Sequence, residues 1–430
     1  MRTIALVDKL QLSTNLNYVI ARFLGSSGDS GVLSRNRFSG FGVVPMVKAN
    51  AYGHGLLEVA SQLASHEHVK ALGVATLDEA SGVRQIMRSQ KLSKPIWIFS
   101  ESALFSDDVW SLCARERYEP VIYDLETLRC VVSRLTSSGV KTDRGLASLK
   151  FHVKFNTGMN RLGIAPSDVS VVRKLLKQID PRYLSGVCSH FADSEHAQSQ
   201  RTVQQIDAFR TVVGSLGNEL LAGDKSVHFA NTDASLTMGK HLRDWTNIIR
   251  PGLALYGYCS SNAHQQHLKP VLQWWCQSVQ DRQFKSGALV GYGAGFRIRK
   301  GSKLGNQSIF AVGYGDGFGR TNSGKKIYVS RAIVSSGALT EELGKIAHSR
   351  ALEEVLVGGY VSMDLTSVFS GSIRHNAVDR KPKVPFYGLI GQHPKQARRL
   401  AKNMNSNLYE VLTRISSRVP RVLLTRSSRE

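Results

Sequence analysis

The sequence predicts an α/β protein, a (β/α)8 TIM-like barrel followed by a C-terminal domain built mostly of β-strands. Three observations predict it. Eight short apolar, β-branched runs lie between residues 43 and 249. They lack the alternating polar residues of half-exposed strands and read as strands buried on both faces. Segments of helical period separate them, and eight such units close a barrel at about 250 residues. Past about residue 260 the texture changes to aromatic and β-branched runs broken by Gly and Ser clusters, the pattern of an all-β domain.

In chain order, Leu12, Leu16, Val19, Ile20 and Phe23 mark a helix ahead of the first barrel strand. The eight strands are expected at Val43–Val47, Ala71–Ala75, Pro95–Phe99, Pro120–Tyr123, Leu149–Phe155, Leu184–Ser189, Ser226–Phe229 and Asn247–Ile249. Leu125, Leu128, Val131, Val132 and Leu135 recur at helical spacing, as do Val203, Ile206, Phe209, Val212 and Val213. Thr76 and Glu79 have the spacing of a capping box opening the helix after the second strand. A doubly wound open sheet is the competing layout. It would offer a G-x-G-x-x-G turn after its first strand, and none is there. The β domain is expected to use Leu272–Val279, Ile309–Tyr314, Ile327–Ile333 and Val355–Met363, with a helical turn at Gln396–Leu400. The expected division is residues 1–258 for the barrel and 259–430 for the β domain, with part of the N-terminal segment packing on the latter.

Composition excludes several classes. A chain of 430 residues, 42% hydrophobic and 21% charged, is neither disordered nor a single small module. No apolar run reaches membrane-spanning length. The first twenty residues lack the order of a secretory signal. The five cysteines, Cys113, Cys130, Cys188, Cys259 and Cys276, are odd in number and widely spaced, which fits free thiols in a cytoplasmic protein and no metal cluster. The formal charge of +23 attracts anions. No nucleic-acid motif accompanies it, so a solvated basic surface is the expectation rather than a specific nucleic-acid partner.

In such a barrel the chemistry sits where strands end. Lys48 comes straight off an apolar run. A buried ammonium costs several kcal/mol, so Lys48 is either a desolvated lysine that forms a Schiff base or one that reaches solvent at the strand end. Lys154 and Arg161 flank the turn after the fifth strand. Arg161 can hold a carboxylate through its fork or make a surface ion pair. His190, His228 and Arg250 end the sixth, seventh and eighth strands. Together they can form a hydrogen-bonded chain, although each histidine alone is more often a satisfied core residue. Asn231 and Thr232, with Gly252 and Leu253, offer backbone N–H groups and a hydroxyl suited to phosphate. Tyr292 and Tyr314, in Gly-rich segments, and Met363, Asp364 and Tyr409 are weak signals in isolation.

Taken together these pieces resemble the alanine racemase family, pyridoxal-phosphate enzymes of fold type III. The resemblance is carried by VVPMVKANAYGHG, KFNTGMNRLGI, CSHFADSE, HFANTDAS, RPGLALYG, VGYGAGF, VGYGDGFGR, VSMD and YEVLTRISSRVPR, in that order along nearly the whole chain. It implies that Lys48 carries pyridoxal 5'-phosphate as a Schiff base and serves as one of two bases. Tyr292, reaching across a head-to-tail homodimer, would be the other. It implies that Arg250 holds the pyridine nitrogen, with His190 and His228 linking Tyr292 and Arg250. The phosphate would lie among Tyr52, Thr232, Gly252, Leu253 and Tyr409. The substrate carboxylate would meet Arg161 and the Met363 backbone, and Asp364 and Tyr314 would shape the entry. Lys154 matches a lysine that is often carbamylated. The implied activity is interconversion of L- and D-alanine, supplying peptidoglycan.

Four departures from the family pattern stand out. Asn156 and Thr232 replace the usual Asp and Ser. SSGALTEELGKIAHSRALEEV is inserted or diverged. LTSVFSGS follows VSMD without the expected acidic residue. A broad-specificity amino-acid racemase and a fold-type-III decarboxylase share the scaffold. The former is usually exported, and the latter carries a cysteine-bearing substrate motif in its β domain that is not seen here.

Overall fold

A computed structural model describes residues 2–25, 40–136, 145–284, 287–294, 296–298, 306–335, 339–345, 352–370 and 383–424. The first strand, β1 (Thr3–Asp8), is not among the expected strands, although TIALV is an apolar run with β-branched residues. It lies outside the barrel. Asp8 then caps the helix Lys9–Leu24, its carboxylate accepting from the Gln11 N–H, and the helix buries Leu12, Leu16, Val19, Ile20 and Phe23 as its spacing requires.

Eight parallel strands follow: β2 (Gly42–Val43), β3 (Leu72–Val74), β4 (Ile96–Ile98), β5 (Tyr118–Ile122), β6 (Phe151–Lys154), β7 (Leu184–Cys188), β8 (Ser226–His228) and β9 (Ile248–Ile249). All eight expected runs are found, most trimmed by a residue or two where regular pairing stops. The sheet order β2-β9-β8-β7-β6-β5-β4-β3 follows the chain. Its two ends meet. Val43 N–H donates to His68, Lys70 N–H to Val43, Val47 N–H to Gly73 and Gly73 N–H to Pro45, all to carbonyls, and these bonds close the barrel. The barrel wall and its outer helices share one apolar core, from Val43 and Val47 through Phe151, Phe155 and Phe229 to Trp245.

The β domain contains β10 (Leu272–Gln283), β11 (Leu289–Val290), β12 (Phe296–Arg297), β13 (Asn306–Phe310), β14 (Lys326–Ser335), β15 (Glu353–Val357), β16 (Thr366–Ser370), β17 (Lys383–Ile390) and β18 (Arg421–Leu424). β10 is long and bulged. Its first half pairs with β17 and its second half with β13, so six strands curl into a small closed sheet in the order β10-β13-β16-β15-β14-β17. β1 joins the edge of this sheet, antiparallel to β10 and parallel to β18. Alternation along β1 sends Ile4 and Leu6 to one face and Ala5 to the other.

β11, β12, β16, β17 and β18 are not among the strands expected from the sequence. The helical turn or more expected at Gln396–Leu400 is the helix Pro394–Asn403. Within the divergent stretch, Leu339–Lys345 is a helix whose Leu343 packs with Ile4, Leu6, Trp275 and Leu424. Residues 336–338 and 346–351 of that stretch lie outside the described residues. No described helix is long and apolar enough to cross a membrane.

Candidate active site

β2 and β9 are neighbours, and their pairing continues past the strands. Val44 N–H donates to Ile249 O and Met46 N–H to Pro251 O, which brings Lys48 and Arg250 out side by side. They open into a cavity of about 870 Å³ at the C-terminal ends of the barrel strands. The same cavity is lined by Tyr52, Lys154, Arg161, His190, Asn231, Thr232, Gly252 and Tyr409. Leu253 is buried beside it, in the core of the β domain. Residues spread over more than 350 positions therefore meet in one place.

The backbone after Lys48 is strained. Ala49, Asn50, Ala51 and Tyr52 all have φ between 51° and 53°, a left-handed turn made without glycine. Each such residue costs about 1 kcal/mol or more. The surroundings hold it in place. Glu79 takes the Ala49 N–H at 2.6 Å with one oxygen and the Ala75 N–H at 2.7 Å with the other. The Asn50 carboxamide accepts from Leu56 N–H at 2.7 Å. The expected capping box is thus only half made. Thr76 accepts from Glu79 N–H, but the Glu79 carboxylate serves the lysine turn instead of the helix N-terminus.

Electrostatics single out the two lysines. Burial, then the Arg161 charge, lowers the Lys48 amine from its ordinary range, while Glu79 opposes the shift. Burial pushes Lys154 down to about 8, with Arg250, Arg161 and Lys48 adding to the effect against Cys188. Arg161 has no ion-pair partner among the described residues and faces the cavity, so its fork is available to an anion. The turn that aims it is built by Asn156, whose carboxamide oxygen accepts from the Gly158 and Asn160 N–H groups. An Asp would do the same, and the departure at Asn156 leaves the turn intact.

Arg250 is buried. It donates to the Ser189 carbonyl at 2.7 Å and to Nδ1 of His228 at 2.5 Å, with His190 Nδ1 at 3.5 Å, and it lies over the Phe99 ring. Burial, reinforced by Arg250, holds both His190 and His228 well below their ordinary range, so both rings are neutral. His228 Nε2 lies 3.1 Å from His152 Nδ1, and His152 Nε2 lies 3.2 Å from Glu119. The sequence reading missed His152 and Glu119. A signal for the first was present: in a strand, residues two apart share a face, so His152 points inward with Lys154.

Thr232 and Gly252 form the polar floor. The Thr232 hydroxyl accepts from the Gly252 N–H at 3.0 Å, while Asn231 is spent capping the helix Thr232–Thr237. A Cβ on Gly252 would lie 2.4 Å from the Tyr52 hydroxyl, so only glycine admits that phenol. Tyr52 stacks on Tyr256 and tilts against Tyr409, whose own phenol burial pushes up to about 12. An amine able to form an imine, a permanent cation, neutral imidazoles and a cluster of hydroxyls and N–H groups make a donor set that fits a phosphorylated aromatic aldehyde. Pyridoxal 5'-phosphate fits these residues.

Four expected residues lie on the surface of the β domain, away from this cavity. Tyr292 is 73% exposed, in a short 3-10 turn (Tyr292–Ala294) between β11 and β12. Tyr314 and Met363 are 44% and 52% exposed, on two loops that interlock: Tyr314 N–H donates to Ser362 O and Gly315 N–H to Met363 O. Asp364 is held by Arg2 and Arg418, which also bind the buried Asp316.

Comparison with known proteins gives the family and the fold. The family model "Alanine racemase, N-terminal domain" matches residues 34–260 and "Alanine racemase, C-terminal domain" matches 271–423. The alanine racemase of Pasteurella multocida is 31% identical over 329 residues, covering 74% of this chain and 82% of that relative. That of Hahella chejuensis is 30% identical over 343 residues, covering 77% and 86%. Among solved structures, the Bartonella henselae alanine racemase with covalently bound pyridoxal phosphate superposes with a TM-score of 0.74 at 22% identity, covering 99% of this chain and all of that one. The chain belongs to the alanine racemase family, whose members depend on pyridoxal phosphate.

Proposed function

We propose that this protein interconverts L- and D-alanine by a two-base mechanism on pyridoxal 5'-phosphate, in the cytoplasm, as a head-to-tail homodimer that supplies D-alanine for peptidoglycan. The observation that carries the reading is the convergence of Lys48, Lys154, Arg161, His190 and Arg250 on one cavity. The place of Tyr292, exposed and away from the cavity of its own chain, supports the dimer, in which it would reach the cavity of the second copy. The proposed division of labour between the units is residues 1–258 for cofactor binding and 259–430 for the second base, with β1 tying the two.

When bound, the cofactor supplies an electron sink that makes the α-proton of an amino acid acidic. The residues of this chain do the rest. Lys48, its amine less basic through burial, holds the cofactor and exchanges a proton on one face of the α-carbon. Tyr292 of the partner subunit exchanges a proton on the other, and delivery opposite to removal inverts the centre. Arg161 orients the substrate carboxylate, together with the Met363 backbone of the partner subunit. Asp364 and Tyr314 shape the entry. Arg250, which does not give up its proton, keeps the pyridine nitrogen unprotonated and restrains the sink. Thr232, Gly252, Leu253, Tyr52 and Tyr409 hold the phosphate, and His190 orients Tyr292. Lys154, with its lowered basicity, is suited to carbamylation, which would place an anion beside Arg161.

The test is chiral chromatography after incubation with pyridoxal phosphate and L-alanine, with L-serine, L-lysine and L-arginine run in parallel. D-Alanine chiefly from the first sample is expected. D-Lysine or D-arginine instead would replace the proposal with a broad-specificity racemase. No D-product from a cofactor-loaded protein would overturn it in favour of decarboxylation.

A further inference from the structure

The interior of such a barrel is ordinarily filled with branched apolar side chains. Here a polar column runs through it. Glu119 near the start of β5, His152 in β6, His228 at the end of β8 and Arg250 just past β9 are linked at 3.2, 3.1 and 2.5 Å. Both histidine rings are fully buried, and Trp97 packs against both, with ring centroids 4.0 and 4.7 Å away. Burying four polar groups in a core costs free energy unless every donor meets an acceptor.

The chemistry of the groups fixes every proton in this column. A guanidinium carries donors only. The His228 Nδ1 facing Arg250 is therefore an acceptor, and the one proton of that neutral ring lies on Nε2. This Nε2–H points at His152 Nδ1, which must in turn accept, so the proton of His152 lies on its Nε2 and points at Glu119. A doubly protonated His152 would set two donors against each other. The column is consistent in one direction only, from a cation at the cavity to a carboxylate at the far end. Burial pushes the Glu119 carboxyl up, but hydrogen bonds from His152 and Ser185 outweigh it and hold the group below its ordinary range. Glu119 also lines a second cavity of about 230 Å³, together with Lys70, Lys150 and Asp224 at the opposite end of the barrel.

We propose that Glu119 is a positioning residue for the racemase site: acting through His152 and His228, it accepts the last proton of the order that Arg250 imposes and supplies the counter-charge that sets the orientation and field of Arg250. The proposal rests on the racemase reading for its catalytic consequence, but not for the proton arrangement.

The first measurement is the 15N spectrum of histidine-labelled, cofactor-free protein. Both His152 and His228 are expected as neutral Nε2–H tautomers. A cationic His152, or an Nδ1–H tautomer at either ring, overturns the proposal without any variant having to fold. The second compares Glu119→Gln with wild type. A glutamine can offer His152 its carbonyl oxygen but no charge, so the variant is expected to keep both Nε2–H tautomers and to displace the 15N signals of both rings. Loaded with cofactor, it is expected to show a shifted near-visible absorbance and a kcat lowered about tenfold with KM little changed, and Glu119→Asp should recover part of each. Unchanged His228 signals together with kcat within twofold of wild type would reduce Glu119 to a local structural role and sink the idea. If wild type forms no D-alanine yet shows both Nε2–H tautomers and displaced signals at both rings in Glu119→Gln, the column stands and the racemase reading is what has failed.

Discussion

The barrel mouth and the β11–β12 hairpin hold the two bases of the proposed reaction, and they are physically opposite. Lys48 sits at the end of a buried strand on a turn held by Glu79 and Asn50. Its basicity is lowered by burial and by Arg161. Tyr292 sits on a short hairpin of two two-residue strands, between Gly291 and Gly293 in left-handed conformation, and is exposed. One half of the chemistry is organised within a single chain. The other is presented on its surface and gains its surroundings only from another copy. Variants in the first region should therefore damage cofactor binding, whereas variants in the second should leave it untouched.

The largest effect tests the first half of that contrast. Lys48→Ala is expected to abolish the near-visible absorbance of lysine-bound cofactor and to lower racemisation by at least about 1000-fold. Absorption spectra and D-alanine formation read the two. An unchanged cofactor spectrum would remove Lys48 from its role.

Tyr292→Phe tests the second half. It should retain the cofactor spectrum and lose about 100- to 10,000-fold in turnover, the range of one acid–base group. The loss in kcat/KM should be equal in the two directions, because each uses both bases; α-proton exchange should differ, lost for the enantiomer that gives its proton to Tyr292 and kept for the one that gives it to Lys48. Solvent deuterium incorporation into recovered L- and D-alanine separates them. Full activity in both directions would rule the phenol out as a base, and loss of bound cofactor would erase the distinction between the two regions.

The same contrast explains what the sequence disclosed. Barrel strands are short apolar runs, so a charged residue at the end of one, such as Lys48 or Arg250, stands out against its neighbours. Their common destination follows from the fold. The left-handed turn at Ala49–Tyr52 was invisible, because alanine and asparagine carry no local mark of positive φ, and the turn is imposed by tertiary partners. Glu79 was assigned to its own helix for the same reason: local spacing fits a cap, and the competing donor lies 30 residues away. His152 was legible by strand alternation. Glu119 carried no signal, because its partner is three-dimensional. In the β domain, β1 was missed because it pairs with β10, some 270 residues distant. Tyr292, Met363 and Asp364 were suggested only by resemblance, since exposed loop residues have no packing pattern to betray them.

A smaller effect concerns stability and belongs to the barrel alone. His54, His152 and His228 are fully buried, and burial holds all three below the ordinary imidazole range, His54 down to about 3. The folded protein therefore keeps these rings neutral while the unfolded chain protonates them below about pH 6.5. The unfolded state binds more protons in that window, so stability falls as pH drops through it, by up to about 1.4 kcal/mol per pH unit for each ring. Urea midpoints at neutral and mildly acidic pH give the slope. A barrel whose midpoint is flat from pH 7 to pH 5 would mean that these rings titrate in the fold.

The smallest effect is expected at Asp364→Asn, on the exposed side of the comparison. Asp364 is a half-exposed residue, and Arg418 beside it, with Arg2, holds its carboxyl below the usual range. The same two arginines also grip Asp316, which is buried and accepts from the Gly313 N–H at 3.0 Å. The interlocked loops around Tyr314 and Met363 consequently keep their anchor when Asp364 loses its charge, and an exposed ion pair contributes little in water. Tm should move by no more than about 2 °C. What changes is the field at the proposed entry, where Arg2 and Arg418 are left with Asp316 as their shared counter-charge and face a zwitterionic substrate. KM for alanine is expected to shift a few-fold while kcat and the cofactor spectrum stay at wild-type values. If instead Tm falls steeply, Asp364 anchors the loops themselves. If kcat falls with KM constant, it reaches the reacting atoms, and the exposed half of the site is more tightly organised than its surface position implies.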